Sequence, residues 1–265
     1  MTFSVLLSAM HLKDASYTDG LNITSDAVVI NQCDEESKEI IRKDLKDGGK
    51  QEITYICSGD RGLSRSRNLA LKNASSDICI LCDNDVVYEK GYEKIILNAY
   101  ERHRDADLIV FFIKRKERGT PVFKKDRRMS YLSVLKIFSP EISFKRKSIE
   151  GISFNEDFGA GARYIMGEEN IFLYECLKKH KKIWYVPEKI AELKEEPSTW
   201  FRGYDEEFFV SRGANYSAMS KHFSLLLILQ FAIRKRNLYR DRMTMAAAVL
   251  KMLQGKREYE GICGR

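Results

Sequence analysis

The sequence predicts an α/β fold, a Rossmann-like, mostly parallel sheet with helices on both faces, followed by a helical C-terminal extension. Three observations predict it. Strand-type segments alternate with helix-type segments along most of the chain, which is the pattern of a parallel sheet covered on both sides. The apolar run 78–82 stops abruptly at Asp83-Asn84-Asp85, so a buried strand delivers two carboxylates to one edge of the sheet, where ligands of open α/β sheets gather. After Pro197 the signals are mostly helical. The expected division is 1–195 for the sheet domain and 196–265 for the extension.

Taken in order, residues 2–9 read as a buried strand around Val5, Leu6 and Leu7, and 26–31 as a second. Between 34 and 45, Ile40, Ile41 and Leu45 recur at helical spacing among charges, and Gly48-Gly49 would stop that helix. Residues 51–57 form a third strand. A helix over 64–74 has Leu69, Ala70 and Leu71 inside and Ser64 as its N-cap. The fourth strand is 78–82, a helix follows over 91–103, and 108–113 is the fifth strand. The charged segment 114–128, with Gly119 and Pro121, reads as an exposed loop. Residues 142–149 suggest another strand, 150–167 a loop over the sheet edge, 168–180 a helix and 182–186 a strand. Helices are expected over 204–219, 223–236 and 241–253.

Composition limits the function classes. The 265-residue chain is 44% apolar and carries a net charge of +7, with Lys and Arg crowded at 114–128, 145–147, 178–182 and 234–242. Basic surfaces attract phosphates, nucleic acid or anionic lipid, and a solvated surface explains any single run equally well. The first ten residues lack a basic leader and a small-residue cleavage site, so a cytoplasmic protein is expected, with peripheral contact at the inner membrane face as a further option. The longest apolar stretch, 223–233, contains Ser224 and Gln230 and is about half a membrane span. The six cysteines are then expected as free thiols. Cys79 and Cys82 have zinc-type spacing but no second pair, and three residues apart on a strand they face opposite ways. His11, His103, His180 and His222 form no ligand motif.

Three segments carry the chemistry. The run 59–70, with Arg61, Arg65 and Arg67, opens a helix, and a helix N-terminus flanked by arginines attracts anions; an ordinary surface helix with exposed arginines is the alternative. Asp83 and Asp85 would repel without a counter-cation, which suggests Mg²⁺ or Mn²⁺ and a phosphate-bearing ligand; the alternative is a polar turn. In 158–170, Gly159 and Gly161 permit close backbone approach to a ligand. The stripe Phe172, Leu173, Cys176 and Leu177 puts Glu169 near its middle and Glu168 on its flank. An inward carboxylate could serve as a general base, or simply complement the helix dipole. Together the three would supply cationic phosphate contacts, a metal bridge and a base, the equipment for displacing a nucleoside diphosphate from a sugar carbon.

In the motifs 62–68 (Gly-Leu-Ser-Arg-Ser-Arg-Asn), 83–85 (Asp-Asn-Asp) and 167–170 (Gly-Glu-Glu-Asn), and in their order, the chain resembles the GT-A-fold glycosyltransferases of family 2, over roughly 2–195. The resemblance implies transfer of a sugar from a nucleotide donor with inversion. It implies a metal on Asp85, Asp83 at the ribose or metal, and Arg67 at the donor nucleotide. Ser8, Asp34, Arg61, Arg65 and Asn84 complete the expected donor side, and Gly159, Gly161 and Trp200 the acceptor side. Glu169 stands where the family has the Asp of Glu-Asp, the acceptor base; Glu lengthens the reach, so Glu168 is the alternative. The family's uracil-reading Asp pair is replaced by Asn31-Gln32-Cys33-Asp34, leaving Asp34 or Gln32 to read the base, with a UDP-sugar favoured. The implied acceptor is a glycan or a lipid-linked glycan of a bacterial-type surface polysaccharide. The segment 223–236 would bind a membrane interface or pack on the catalytic domain or a second subunit, giving a homodimer. A nucleotidyltransferase would want a glycine-rich, lysine-containing loop where Ser8-Ala9-Met10-His11-Leu12 stands, and no nucleic-acid module is visible, so no specific nucleic-acid partner is expected.

Overall fold

Seven consecutive buried residues in Phe3–Met10 (β1) place this strand at the centre of a sheet, because only a strand covered on both faces buries every side chain. The structure, a computed structural model, describes residues 1–45, 48–194 and 203–263. The remaining elements of the sheet region follow in order: α1 (Tyr17–Gly20), β2 (Asp26–Gln32), β3 (Ser37–Asp44), β4 (Lys50–Ser58), α2 (Leu63–Asn73), β5 (Ile78–Asp83), β6 (Val86–Tyr88), α3 (Tyr92–Arg102), β7 (Leu108–Lys114), β8 (Arg127–Arg128), β9 (Ile142–Lys145), α4 (Glu168–Lys178) and β10 (Ile183–Leu193). Short 3-10 turns occupy Val134–Lys136, Ser139–Glu141 and Arg146–Ile149.

The sheet runs β3-β4-β2-β1-β5-β9-β7-β10-β6, with β8 on β10. β4, β2, β1 and β5 are mutually parallel, as are β7 and β10, while β3, β9 and β6 run antiparallel. The expected α/β sheet is therefore present, with a parallel centre. One face of it packs Phe3, Val5 and Leu7 with Ile78 and Ile80 and with Tyr92, Ile96 and Tyr100 of α3. Phe3 meets Tyr92 edge-on at 6.0 Å between centroids. Truncating a fully buried leucine such as Leu7 in such a core costs about 2–5 kcal/mol.

Four expectations are corrected. Residues 34–45 are not a helix: β3 pairs antiparallel with β4, Arg42 opposite Glu52 and bonded to it at 3.0 Å. The spacing of Ile40 and Ile41 was helical by coincidence. What decides is the open edge of β4, whose backbone groups gain a ladder, and the resulting edge strand keeps its charges in water. Gly48-Gly49 helps close the hairpin, Leu45 N–H donating to the Gly49 carbonyl at 2.8 Å. The strand expected over 142–149 ends at Lys145. It lies between β5 and β7 and pairs with β5 only along Ile78–Ile80. The strand expected over 182–186 continues past Pro187 to Leu193, with register shifts after Tyr185 that absorb the proline. The last helix, expected to stop at 253, runs on to Cys263.

The chain divides into two units. One comprises Met1–Arg61, Arg65–Ser153 and Cys176–Glu196 and holds the sheet; the other comprises Gly62–Ser64, Phe154–Glu175 and Pro197–Arg265. In the second, α5 (Glu206–Met219), α6 (Ser224–Arg234), α7 (Arg236–Tyr239) and α8 (Met245–Cys263) carry the helical signals. Asp205 caps α5, its side chain accepting from Phe208 N–H at 2.8 Å. Gly255 does not break α8, because it is a contact: a Cβ there would stand 1.9 Å from the Val210 carbonyl oxygen of α5. Reciprocally, a Cβ on Gly213 of α5 would stand 1.8 Å from the Met252 carbonyl oxygen of α8. The two helices cross at backbone contact.

Gly213→Ala or Gly255→Ala should each cost about 1–3 kcal/mol or more through overpacking against a backbone that cannot rotate away. Thermal unfolding should fall by about 2–4 °C per kcal/mol; an unchanged melting temperature in both variants would contradict the crossing.

Candidate active site

The carboxyl ends of the parallel strands gather the first set of side chains. Ser8 on β1 stands in register with Asp83 on β5. Ser66 on α2 donates its hydroxyl to Ser8 Oγ at 2.9 Å. One residue on, Arg67 donates from Nη2 to Asp83 Oδ1 at 2.9 Å, and this guanidinium is only 1% exposed. A buried arginine persists only where a carboxylate or equivalent meets it. Arg65, expected beside it, is exposed, because two residues along a helix turn the side chain away from Arg67.

The turn after β5 is held at its backbone. Tyr17 donates its hydroxyl to the Asn84 carbonyl at 2.9 Å, and Lys194 N–H donates to the Asp85 carbonyl at 2.8 Å. Asn84 itself is exposed, and Asp83 and Asp85 are half-buried. After β2, Asn31 clamps the segment following β1: its Oδ1 accepts from Leu12 N–H at 2.8 Å and its Nδ2 donates to the Leu12 carbonyl at 3.0 Å. Arg61 donates to the Cys33 carbonyl at 3.1 Å and to the Asp34 carboxylate, so Asp34 and Arg61 meet each other across the ends of β2 and β4. Gln32 is buried and Asp34 exposed.

The donor set at Asp83 and Asp85 is oxygen only. Burial pushes the neighbouring Cys82 thiol well above its ordinary value, with the Asp83 charge adding to the effect, and burial lifts Cys79 to about 11. Both therefore stay protonated near neutrality and supply no thiolate. Among the described residues no three His, Cys, Asp or Glu side chains cluster as a metal cage. Two carboxylates alone suit a hard cation whose remaining ligands are water and substrate phosphates, the usual mode for Mg²⁺.

In the second unit, Ser64 is not an N-cap. It lies inside α2 and donates its hydroxyl to the Phe158 carbonyl at 2.6 Å, while Leu63 N–H donates to the Ala160 carbonyl at 2.9 Å. Gly159 and Gly161 come close to protein: a Cβ on Gly159 would lie 3.4 Å from the Glu168 carboxyl carbon, and one on Gly161 3.4 Å from Gly62 Cα. Glu168, not Glu169, is the buried carboxylate, and Glu169 is half-buried. The helical wheel misjudged this because the turn at Phe158–Gly159, outside the helix, covers its first residue. Trp200, expected on the acceptor side, lies outside the described residues.

One residue was missed by sequence reasoning. Gly167, at φ +93°, precedes the two glutamates, and Asn215 of α5 is wedged against it: a Cβ at Gly167 would lie 2.2 Å from Asn215 Nδ2, which donates to the Gly167 carbonyl at 2.8 Å. No local signal marks Asn215, which is fully buried on a helix distant in sequence.

The pattern of Glycosyl transferase family 2 matches residues 24–164, just over half of the chain. The chain belongs to glycosyl transferase family 2. Among curated proteins, no match was found. Among solved structures the transferase is similar to Staphylococcus aureus TarS 1–349, at 14% identity over 100% of this chain and 92% of that one, with a TM-score of 0.58. The same protein in complex with UDP-GlcNAc matches at 15% identity over 98% and 91%, TM-score 0.55. The mannosyltransferase PcManGT from Pyrobaculum calidifontis, in complex with GDP-Man and Mn²⁺, matches at 12% identity over 96% and 86%, TM-score 0.52. These likenesses show a shared fold, and the expected GT-A class holds. Membership makes the protein a glycosyltransferase rather than a nucleotidyltransferase.

Gly167→Ala should destabilise the transferase, and less so in an Asn215→Ala background, where the wedge is gone. Strictly additive penalties in a double-mutant cycle, read by denaturant unfolding, would contradict the contact.

Proposed function

We propose that this transferase moves a sugar from a nucleotide-diphosphate sugar, with inversion, to a hydroxyl of a glycan or lipid-linked acceptor during assembly of a bacterial-type surface polysaccharide on the cytoplasmic side. Residues 1–195 would be the catalytic domain and 196–265 its helical extension. The observation that carries the reading is the Arg67–Asp83 pair at the carboxyl end of β5, inside the span matched by the family. The solved relatives bound to UDP-GlcNAc and to GDP-Man with Mn²⁺ support a nucleotide-sugar donor and a divalent cation.

In this proposal Asp83, oriented by Arg67, receives the ribose, and Ser8 and Ser66 line the floor beside it. Asp85, fixed through its backbone by Lys194, is the carboxylate for Mn²⁺ or Mg²⁺, with Asp83 as a second ligand. The cation, when bound, would neutralise charge on the departing diphosphate. Arg61 and Arg67 add positive potential where that charge develops. Gln32 or Asp34 reads the base, and a UDP-sugar is the favoured donor. Glu169 by its place in the motif, or Glu168 by its burial, takes the proton of the acceptor hydroxyl as it attacks the anomeric carbon.

A panel of nucleotide sugars should be turned over by the wild type only with Mn²⁺ or Mg²⁺, and Asp85→Ala should lose on the order of 10²–10³-fold in kcat. Metal-independent, equal turnover by both proteins would sink the proposal. Glu168→Gln and Glu169→Gln, assayed separately, assign the base: the variant that loses transfer while still raising its melting temperature with donor and metal identifies it.

A further inference from the structure

The helix α6 is apolar on both sides. Its inner side, Leu227, Ile228, Phe231 and Ala232, is buried, with Phe231 near Phe208, Phe209 and Tyr216. Its outer side is equally apolar and open: Phe223 is 64% exposed, Leu226 63% and Ile233 65%, with Leu225 and Leu229 between them about half exposed. A helix hydrophobic all round is ordinarily covered all round, so this outer stripe calls for an apolar neighbour.

Charge says which. Over residues 221–242 the basic side chains are Lys221, Arg234, Lys235, Arg236, Arg240 and Arg242, and the only acid is Asp241, which pairs with Arg240 at 3.8 Å. Leu238, 51% exposed, extends the apolar surface into this basic end. A second copy docking on the same patch about a two-fold axis would set this excess of cations against itself. An anionic bilayer offers what the stripe lacks, acyl chains for the leucines and phosphate headgroups for the cations, whose long stems reach outward from an embedded helix. The helix, at about 1.5 Å per residue, is far too short to span, and among the described residues no helix is long and apolar enough to cross a membrane.

We propose that α6 and the basic run after it form a docking face for an anionic membrane surface, the helix lying in the interface plane with Phe223, Leu226 and Ile233 inserted and Arg234, Lys235 and Arg236 on the headgroups. This rests on the proposed function only for its purpose, access to a lipid-linked acceptor; the binding itself is independent of the donor chemistry.

The test is co-sedimentation of the full chain with vesicles of phosphatidylcholine alone or with phosphatidylglycerol added to roughly a third, with nucleotide-sugar hydrolysis followed separately without vesicles. The wild type should bind the phosphatidylglycerol vesicles, weakly at high salt, and bind phosphatidylcholine poorly. Replacing Arg234, Lys235 and Arg236 by Gln should lower binding on the order of a hundredfold. Leu226→Glu with Ile233→Glu should lower it about tenfold or more. Both variants should keep the wild-type melting temperature and hydrolysis, since these side chains already face water. Absence of wild-type binding to phosphatidylglycerol vesicles, or wild-type binding by both variants, overturns the proposal. So does a discrete dimer in light scattering that Leu226→Glu dissolves, which would give the stripe to a second copy. Lost hydrolysis with intact vesicle binding would count against the transferase reading alone.

Discussion

The pairing of Arg67 with Asp83 is the constraint around which the donor end of the sheet is arranged. A guanidinium almost wholly removed from water needs a fixed acceptor, and Asp83 supplies one at 2.9 Å. The pair ties the first turns of α2 to the tip of β5, and Ser66 adds a second tie to β1 through Ser8. With Arg67 engaged, Asp83 is already aimed before any ligand arrives. A site held this way spends little binding energy on ordering itself.

Much of this was legible because it is local. The apolar run 78–82 and the acids after it had to form a strand tip, and the glycine- and arginine-bearing segment after the third strand had to open a helix. The misreadings all involve partners outside the segment being read. Ile40 and Ile41 fit a helix in isolation, yet the free edge of β4 took them as a strand. Glu168 sat on the flank of a wheel, yet the turn at Phe158–Gly159 buried it. The strand expected over 182–186 had no visible reason to go on, yet register shifts carried β10 past Pro187 to Leu193, and Lys194 after it reaches the backbone of Asp85. Asn215 was invisible, because its role depends on the one carbonyl it reaches.

Within the helical unit the same lesson concerns glycine. Gly213 and Gly255 would be counted against a helix by propensity, at about 1 kcal/mol each. Here they let α5 and α8 approach until each stands on the other's carbonyl oxygens, and that gain in packing outweighs the local cost. Helix α6 packs on the same pair through one side only, which leaves its leucine-rich outer side exposed.

The antiparallel β9 pairs with β5 along Ile78–Ile80 and no further, whereas β1 follows β5 all the way to Asp83. The root of β5 is thus laddered on both flanks and its tip on one. Past Ile80 discrete anchors take over from the second ladder: Arg67 on the Asp83 carboxylate, and Tyr17 and Lys194 on the backbone of the turn beyond it. The acid end of the strand is therefore tuned by a few side chains that can be exchanged one at a time, while the sheet that carries the core stays as it is.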